Sequence, residues 1–515
     1  VTTSVAAGRL AAGHPLALLI APLAGVLLPF AYAPYGLWPL GWLLPAVLLW
    51  LLDGERVRRG ALIGFLFGLG AFGYGIWWIY VSLHHYGNAP PAFAALATAL
   101  VVMLMAGYVA LFAALLNRLA PRPGARRWLL AAPGLWALLE WVRSWAFTGF
   151  PWLALGYSQT DAPLAGFAPL TGVFGVGFFT LLGAGLLRLA LARLRPAVGG
   201  PRAALWPLLA ALALLAGGWG AGRIAWSEPH GRPLAVALIQ GNISQELKWR
   251  PEKLRETLAT YAELTQRAGR QDIIVWPETA LPAFLSDLED SFVGELRGYA
   301  AEQGIDFLIG APDGRRDQAE YRNAVAAIGR TPGIYYKHRL LPFGEYLPLR
   351  SLLMIFRDFV QIPMADFTPG AADQPLLHAA GVPVGTSICF EAVFGSEVRR
   401  ALPQAELLVN VSNDAWFGDT IAPYQHLQIA RMRAIEAARP LLRATNTGIT
   451  ALVDEKGRIV AEGESFVPTV VAGQVQPMRG ETPFVAVGDW LAVALAALAA
   501  LAGAWRRSPG QQKGG

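Results

Sequence analysis

One thiol, one ammonium and one carboxylate, each at the end of an apolar run, could together perform nucleophilic catalysis. Cys389 is the only cysteine in 515 residues and closes the run Val384-Gly385-Thr386-Ser387-Ile388. Glu278 ends Ile273-Ile274-Val275-Trp276-Pro277, and Lys337 follows Ile334-Tyr335-Tyr336. A thiol supplies a nucleophile, a carboxylate a base for its proton, and an ammonium a partner for a developing oxyanion. An isolated cysteine is as often an inert core thiol; the two charged residues in matching settings argue for the nucleophile. A lone cysteine also excludes an internal disulfide and any CxxC metal site.

These residues need a scaffold, and the chain between 230 and 478 has the pattern of one. Strand-like runs occur at Leu234–Ile239, Asp272–Trp276, Asp306–Ile309, Ala324–Ile328, Val384–Cys389 and Glu406–Val411. Helical patterns fill Pro251–Ala268, Phe292–Gln303 and Pro423–Ala438. Such alternation predicts an α/β or layered α+β domain.

The remainder has a membrane composition. Hydrophobic residues make up 54% of the chain and charged residues 15%, against about 25% charged in soluble proteins. Apolar stretches near 15–34, 37–52, 60–82, 91–116, 128–145, 166–190, 203–221 and 485–505 predict about eight spans. Arginines gather on alternate connections: Arg56, Arg58 and Arg59; Arg118, Arg122, Arg126 and Arg127; Arg193, Arg195 and Arg202; then Arg506 and Arg507. The connection His84-His85-Tyr86-Gly87-Asn88 has none. Positive loops face the cytoplasm, so the polar block belongs outside, and the parity of seven preceding spans agrees. The net charge of +6 therefore reads as orientation signal and not as nucleic-acid binding. Ala31-Tyr32-Ala33 imitates a signal cleavage site, but the apolar stretch is long for a signal core and retention is expected.

Three ordered segments carry a family resemblance: Trp276-Pro277-Glu278-Thr279; Tyr336-Lys337-His338-Arg339-Leu340-Leu341-Pro342-Phe343-Gly344-Glu345-Tyr346; and Ser387-Ile388-Cys389-Phe390-Glu391. They resemble the Glu, Lys and Cys motifs of the nitrilase superfamily. Asn410-Val411-Ser412-Asn413-Asp414-Ala415-Trp416-Phe417-Gly418, Ile239-Gln240-Gly241-Asn242-Ile243 and, in the membrane part, Phe150–Gln159 extend the match. With eight spans around it, the set resembles the bacterial apolipoprotein N-acyltransferases.

The resemblance implies a polytopic α-helical membrane domain (1–229) and an αββα-sandwich nitrilase-like domain (230–478) inserted before a last span and tail (479–515). It implies an inner-membrane acyltransferase with its catalytic domain on the extracytoplasmic side. A membrane phospholipid would be the acyl donor and a diacylglyceryl apolipoprotein the acceptor, through a thioester on Cys389 and with no cofactor. Glu278 would be the base and Lys337 the oxyanion donor, joined by the Phe390 N–H. Glu345 and Glu391 would support the site, while Gln245, Trp249, Asn323 and Trp416 would line its pocket. Three nearby carboxylates should raise one another's pKa by repulsion. Rival readings are a membrane-tethered amidase and a transporter with an inactive scaffold, the latter drawing on Glu140 and Arg143 within a span.

Some features have plainer explanations. Gly68-Leu69-Gly70-Ala71-Phe72-Gly73 fits a dinucleotide pattern but lies inside an apolar span, so close helix packing is expected. The histidines, His338 and His426 among them, have no metal-ligand spacing, and no metal site is inferred. Trp77, Trp78 and Tyr80 read as interfacial anchors. Leu349–Phe367 is apolar enough either for a lid that dips into lipid or for a helix packed on the domain core, and the tail from Ser508 reads as a disordered end.

Overall fold

The structure, a computed structural model, describes residues 16–194, 200–314, 320–342, 344–346 and 367–505. Apart from Phe367, the expected lid lies outside the described residues, as does the tail from Ser508. Two compact units divide the chain. One takes residues 1–77, 99–223 and 489–515; the other takes 78–98 and 224–488.

The first unit is helical. Helices or helical turns cover every stretch expected to span: Leu16–Ala31, Leu40–Leu51, Val57–Gly75, Pro91–Leu119, Arg127–Arg143, Pro163–Arg193, Gly200–Ala221 and Trp490–Ala504. Three of them, Pro91–Leu119, Pro163–Arg193 and Gly200–Ala221, are long and apolar enough to cross a bilayer, and Val57–Gly75 with Trp78–Tyr86 makes a fourth if taken as one span. The others are shorter because turns consume the ends of their apolar runs. At 1.5 Å per residue, Trp490–Ala504 covers about 22 Å of a core about 30 Å thick. Leu100, Leu104, Leu205, Leu209, Leu212, Leu498 and Leu501 are exposed on these helices, as lipid-facing residues are and water-facing ones rarely are.

Glycines set the helix spacing. A Cβ on Gly70 would lie 2.2 Å from the Pro22 carbonyl oxygen, and one on Gly68 2.7 Å from Ala106 Cα. The glycine run is thus a packing surface, as its apolar setting predicts. Glu140 and Arg143 are buried here with structural partners. Arg143 donates to the carbonyls of Phe150 (3.0 Å) and Trp152 (2.6 Å), and Glu140 accepts the Leu155 N–H at 2.8 Å. They satisfy the irregular backbone of Phe150–Gln159, which lipid could not. This job removes the support they lent to a transport reading. Arg127, expected in a basic loop, is buried and donates to the Leu116, Ala120 and Leu52 carbonyls, closing the C-terminus of Pro91–Leu119.

Among the described residues, the second unit has a two-stranded pair, Ser227–Pro229 with Met478–Gly480, and two six-stranded sheets, whose strands alone are numbered here. In chain order the strands are β1 (Leu234–Gln240), β2 (Ile273–Trp276), β3 (Asp306–Gly314), β4 (Tyr321–Ile328), β5 (Gly333–Tyr336), β6 (Leu377–Ala379), β7 (Val382–Ile388), β8 (Leu407–Ser412), β9 (Leu441–Thr445), β10 (Ala451–Val453), β11 (Ile459–Glu462) and β12 (Thr469–Val475). The sheet orders are β12-β1-β2-β3-β4-β5 and β11-β10-β9-β8-β7-β6. Strands β1, β2 and β3 run parallel, as do β7, β8 and β9.

Alternation along each strand builds the layers. Val236, Leu238, Ile273 and Val275 of one sheet meet Val384, Ile388, Val409 and Val411 of the other. On the first sheet's opposite face, Ala237, Ile239, Ile274 and Trp276 pack on Tyr261 and Leu264 of helix Leu254–Ala268. Helix Ala422–Ala437 covers the second sheet through Leu427, Ala430 and Ala434. The period of two puts successive residues into different layers, and burying each such Val, Ile or Leu contributes about 1.5–3 kcal/mol. The outcome is the expected αββα sandwich.

Candidate active site

Each expected reactive residue stands just past a strand's carboxyl end. Glu278 follows β2 by two residues, Lys337 follows β5 directly, and Cys389 follows β7 directly. Asn413 follows β8 in the same way. In sheets with parallel strands this edge is where backbone groups are free and ligands bind. The Glu278 turn can come close because residue 310 is glycine; a Cβ there would lie 2.3 Å from the Pro277 carbonyl oxygen.

Cys389 ends the strand abruptly. Its φ is +50°, and Thr279 beside Glu278 has φ +48°. A non-glycine residue held in this region costs about 1–3 kcal/mol, so the surrounding structure must enforce it. One enforcer is Glu391, fully buried. Its Oε2 accepts the Ile388 N–H (2.8 Å) and the Tyr335 hydroxyl (3.1 Å), and its Oε1 accepts the N–H groups of His338 (2.7 Å) and Arg339 (3.0 Å). It therefore ties the cysteine turn to the loop that carries Lys337. Burial pushes its carboxyl up to about 7, against the pull of those N–H donors and Lys337. The cause is desolvation and not the repulsion among carboxylates expected from the sequence.

Lys337, Glu278, Glu345 and Asn323 form one buried cluster. Lys337 Nζ donates to Glu345 Oε1 at 2.8 Å and to Glu278 Oε1 at 3.3 Å. Asn323 Nδ2 donates to the same two atoms at 3.0 and 2.7 Å. The Asn413 N–H donates to Glu278 Oε2 at 2.9 Å, and the Asn413 side chain donates to Gln245 Oε1 at 2.8 Å. Burial opposes the Lys337 charge, but the carboxylates of Glu278 and Glu345 outweigh it and raise the pKa well above that of an ordinary lysine. Two carboxylates share one ammonium, so the cluster is short of positive charge. Accordingly, burial and then Glu278 push the Cys389 thiol up, with Lys337 opposing. The sulfur, raised in this way, rests as a thiol, and attack requires transfer of its proton.

The remaining expected residues are more scattered. Phe390 is buried with its ring against Phe394, centroids 5.1 Å apart. Trp249 is exposed. Trp416 packs its ring on Tyr86, and its carbonyl accepts the Ser82 hydroxyl at 2.8 Å. Trp78, expected as an interfacial anchor, is buried; it donates to Gln425 Oε1 and packs on Phe417. A tryptophan between an apolar run and a loop looks the same in sequence whichever it touches.

Lys248 is a member that sequence reasoning missed. It is buried, donates to the Glu278 carbonyl at 3.2 Å, and burial lowers its pKa to about 7 against the attraction of Glu278. Its position one residue before Trp249 was the available signal.

Family comparison matches both parts of the chain. Residues 24–186 match the family described as "Apolipoprotein N-acyltransferase N-terminal domain", and residues 235–483 match "Carbon-nitrogen hydrolase". A protein of Methylococcus capsulatus named apolipoprotein N-acyltransferase is 45% identical over 93% of this chain and 94% of its own. This chain belongs to the apolipoprotein N-acyltransferase family. Family members so named from Vibrio cholerae (41% identity, 95% of this chain and 97% of theirs) and Azotobacter vinelandii (43%, 95% and 94%) match over nearly their whole length too. Among solved structures, a carbon-nitrogen hydrolase of Helicobacter pylori G27 aligns with 47% of this chain and 89% of its own, at TM-score 0.36 and 15% identity.

Proposed function

We propose that this membrane enzyme moves a fatty acyl group from a phospholipid, through a thioester on Cys389, to the α-amino group of the diacylglyceryl-cysteine that begins an apolipoprotein. The observation that carries the reading is a lone thiol beside a carboxylate–ammonium–carboxylate cluster, in a chain that matches the N-acyltransferase family along nearly all its length. As Cys389 Sγ attacks the ester carbonyl, Glu278 takes the sulfur's proton and a C–S bond forms. Among the described residues, Lys337 Nζ gives two hydrogen bonds to carboxylates, which leaves its third N–H for the oxyanion. The Phe390 N–H is the second donor. Collapse breaks the ester C–O bond, and Glu278 returns its proton to the departing lysophospholipid alkoxide. The lipoprotein amine then attacks the thioester and gives its proton to Glu278. The amide forms, the C–S bond breaks, and the sulfur recovers the proton.

Glu345 holds Lys337 in place and Glu391 holds the cysteine turn. Gln245, Trp249, Asn323 and Trp416 belong to the pocket wall. The enzyme crosses the cytoplasmic membrane eight times, with residues 230–478 forming the catalytic domain on the extracytoplasmic side. The arginine distribution supports this orientation.

Intact-mass analysis of the detergent-purified protein tests the chemistry. A fatty-acyl adduct on Cys389, released by neutral hydroxylamine and passed to a lipopeptide amine, is expected. Release of free acid with no N-acylated peptide would identify a hydrolase instead. A reporter fused after Gln476 should behave as exported and one after Arg507 as cytoplasmic; a cytoplasmic signal at the first would overturn the orientation.

A further inference from the structure

Behind the cysteine turn lies a buried polar network that the acyl-transfer chemistry does not use. His426 Nε2 lies 3.2 Å from the Cys389 carbonyl oxygen, and Asn410 Nδ2 reaches the same oxygen at 3.5 Å. Both side chains are fastened by one residue, Arg443 of β9. Its guanidinium donates to Asn410 Oδ1, to His426 Nδ1 at 3.0 Å and to Asp414 Oδ2 at 2.8 Å. Asp414 Oδ1 in turn accepts the Ser412 hydroxyl at 2.7 Å and lies 3.0 Å from His426 Nδ1. Arg443, Asp414, Asn410, Ser412 and His426 are all essentially without solvent contact.

The consequence follows from peptide geometry. The carbonyl of Cys389 and the N–H of Phe390 belong to one planar unit and point in opposite directions. Whatever holds the carbonyl toward helix Ala422–Ala437 therefore aims the N–H the other way. The positive φ of Cys389 makes this plane one that the chain would not keep unaided.

We propose that Arg443, acting through His426 and Asn410, is a positioning device that grips the Cys389 carbonyl and thereby aims the Phe390 N–H at the oxyanion. His426 suits the task because its Nε2 carries a proton whether the ring is neutral or charged. Nε2 faces a carbonyl oxygen, which can only accept, so this contact requires a proton on Nε2. In the neutral ring Nδ1 is then the acceptor for Arg443, and a charged ring would give a second proton to Asp414. Burial, with Arg443 beside it, lowers the ring's pKa against the pull of Asp414, so the neutral form is the resting one. The carbonyl grip acts on the oxyanion hole, whereas the network's influence on the sulfur runs separately through Ser412 and the charge of Asp414.

The inference rests on the thioester reading, and a generic ester separates the two. In the full-length, detergent-purified protein, p-nitrophenyl butyrate should acylate Cys389 with a burst of nitrophenolate. His426→Leu should slow that burst by about 10²-fold, the loss expected when one oxyanion donor is misplaced. Alkylation of Cys389 by iodoacetamide, which forms no oxyanion, should stay within about twofold of the wild type. His426→Gln, which restores an N–H donor to the carbonyl, should recover most of the burst. Asn410→Leu, removing the longer contact, provides a second variant should His426→Leu fold poorly, with a smaller loss in the same direction. Burst and alkylation falling together, or a burst unchanged in both leucine variants, would overturn the proposal. A wild-type burst with no adduct from mixed phosphatidylethanolamine and phosphatidylglycerol micelles would instead sink the phospholipid reading while leaving the grip in place.

Discussion

Two buried charge clusters in this molecule use similar side chains and do opposite things with them. In the helical unit, Arg143 spends its donors on the carbonyls of Phe150 and Trp152, and Glu140 spends an oxygen on the Leu155 N–H. The two side chains are only loosely paired, 3.8 Å apart. In the sandwich, Lys337 spends its donors on Glu278 and Glu345, and those carboxylates accept from it and from Asn323. The first cluster fastens irregular backbone. The second collects an excess of carboxylate beside a thiol. Burial of charge therefore does not mark a reactive site. What distinguishes the second is two carboxylates around one ammonium, with the chain's one thiol beside them.

The sharpest break between the clusters is chemical. Cys389→Ala should abolish the acyl-enzyme outright, since the chain has no other thiol. Glu278→Gln should stop both charging by phospholipid and aminolysis of a preformed thioester, read by single-turnover transfer to a lipopeptide amine. Charging of that variant at the wild-type rate would show that the base lies elsewhere. Next in size, Lys337→Ala should slow acyl-enzyme formation by about 10²–10³-fold, the usual loss for an oxyanion donor. Glu345→Gln should slow turnover without erasing it.

In the helical unit the same kind of change should be read as stability. Arg143→Met leaves Glu140 buried without its cation and two carbonyls unpaired, a loss of about 3–5 kcal/mol. Thermal unfolding in detergent should shift down accordingly. Acyl transfer per folded molecule should hold, and a selective fall in acylation with unchanged stability would erase the distinction drawn between the clusters.

Lys248 tests the boundary between the two behaviours, because it sits at the reactive cluster yet donates to a backbone carbonyl. Its pKa falls from 10.5 to about 7 on folding. The folded state then binds fewer protons than the unfolded state between about pH 7 and 10.5, so stability should rise with pH across that window. Lys248→Met should flatten the rise and be more stable than the wild type near pH 7. Unfolding midpoints of both proteins from pH 6 to 10 decide it; parallel curves would mean that the ammonium remains charged in the fold.

Much of this was legible in the chain because it depends on local pattern. All six strand-like runs and all three helical patterns read from the catalytic block are present, since alternation and helical spacing are short-range signals of burial. The strand β5 was legible only as the short run before Lys337, and β6, β9, β10, β11 and β12 were not anticipated. Most are short, and β9, Leu441-Leu442-Arg443-Ala444-Thr445, carries a charge in the middle of a sheet. Arg443 can lie there because Asp414, Asn410 and His426, distant in sequence, supply its partners. Nothing near residue 443 announces them.

By itself the sequence determined the layers of the sandwich, the helical character of the rest, and the identity of the residues at the strand ends. Only the tertiary structure decided which buried charges face one another and which fasten backbone. It also decided that Trp78 belongs with Gln425 and Phe417, that Lys248 reaches Glu278, and that Cys389 is held at positive φ. The reason is physical. Periodicity records whether a side chain is buried, whereas a hydrogen-bond partner is chosen by packing between elements tens to hundreds of residues apart.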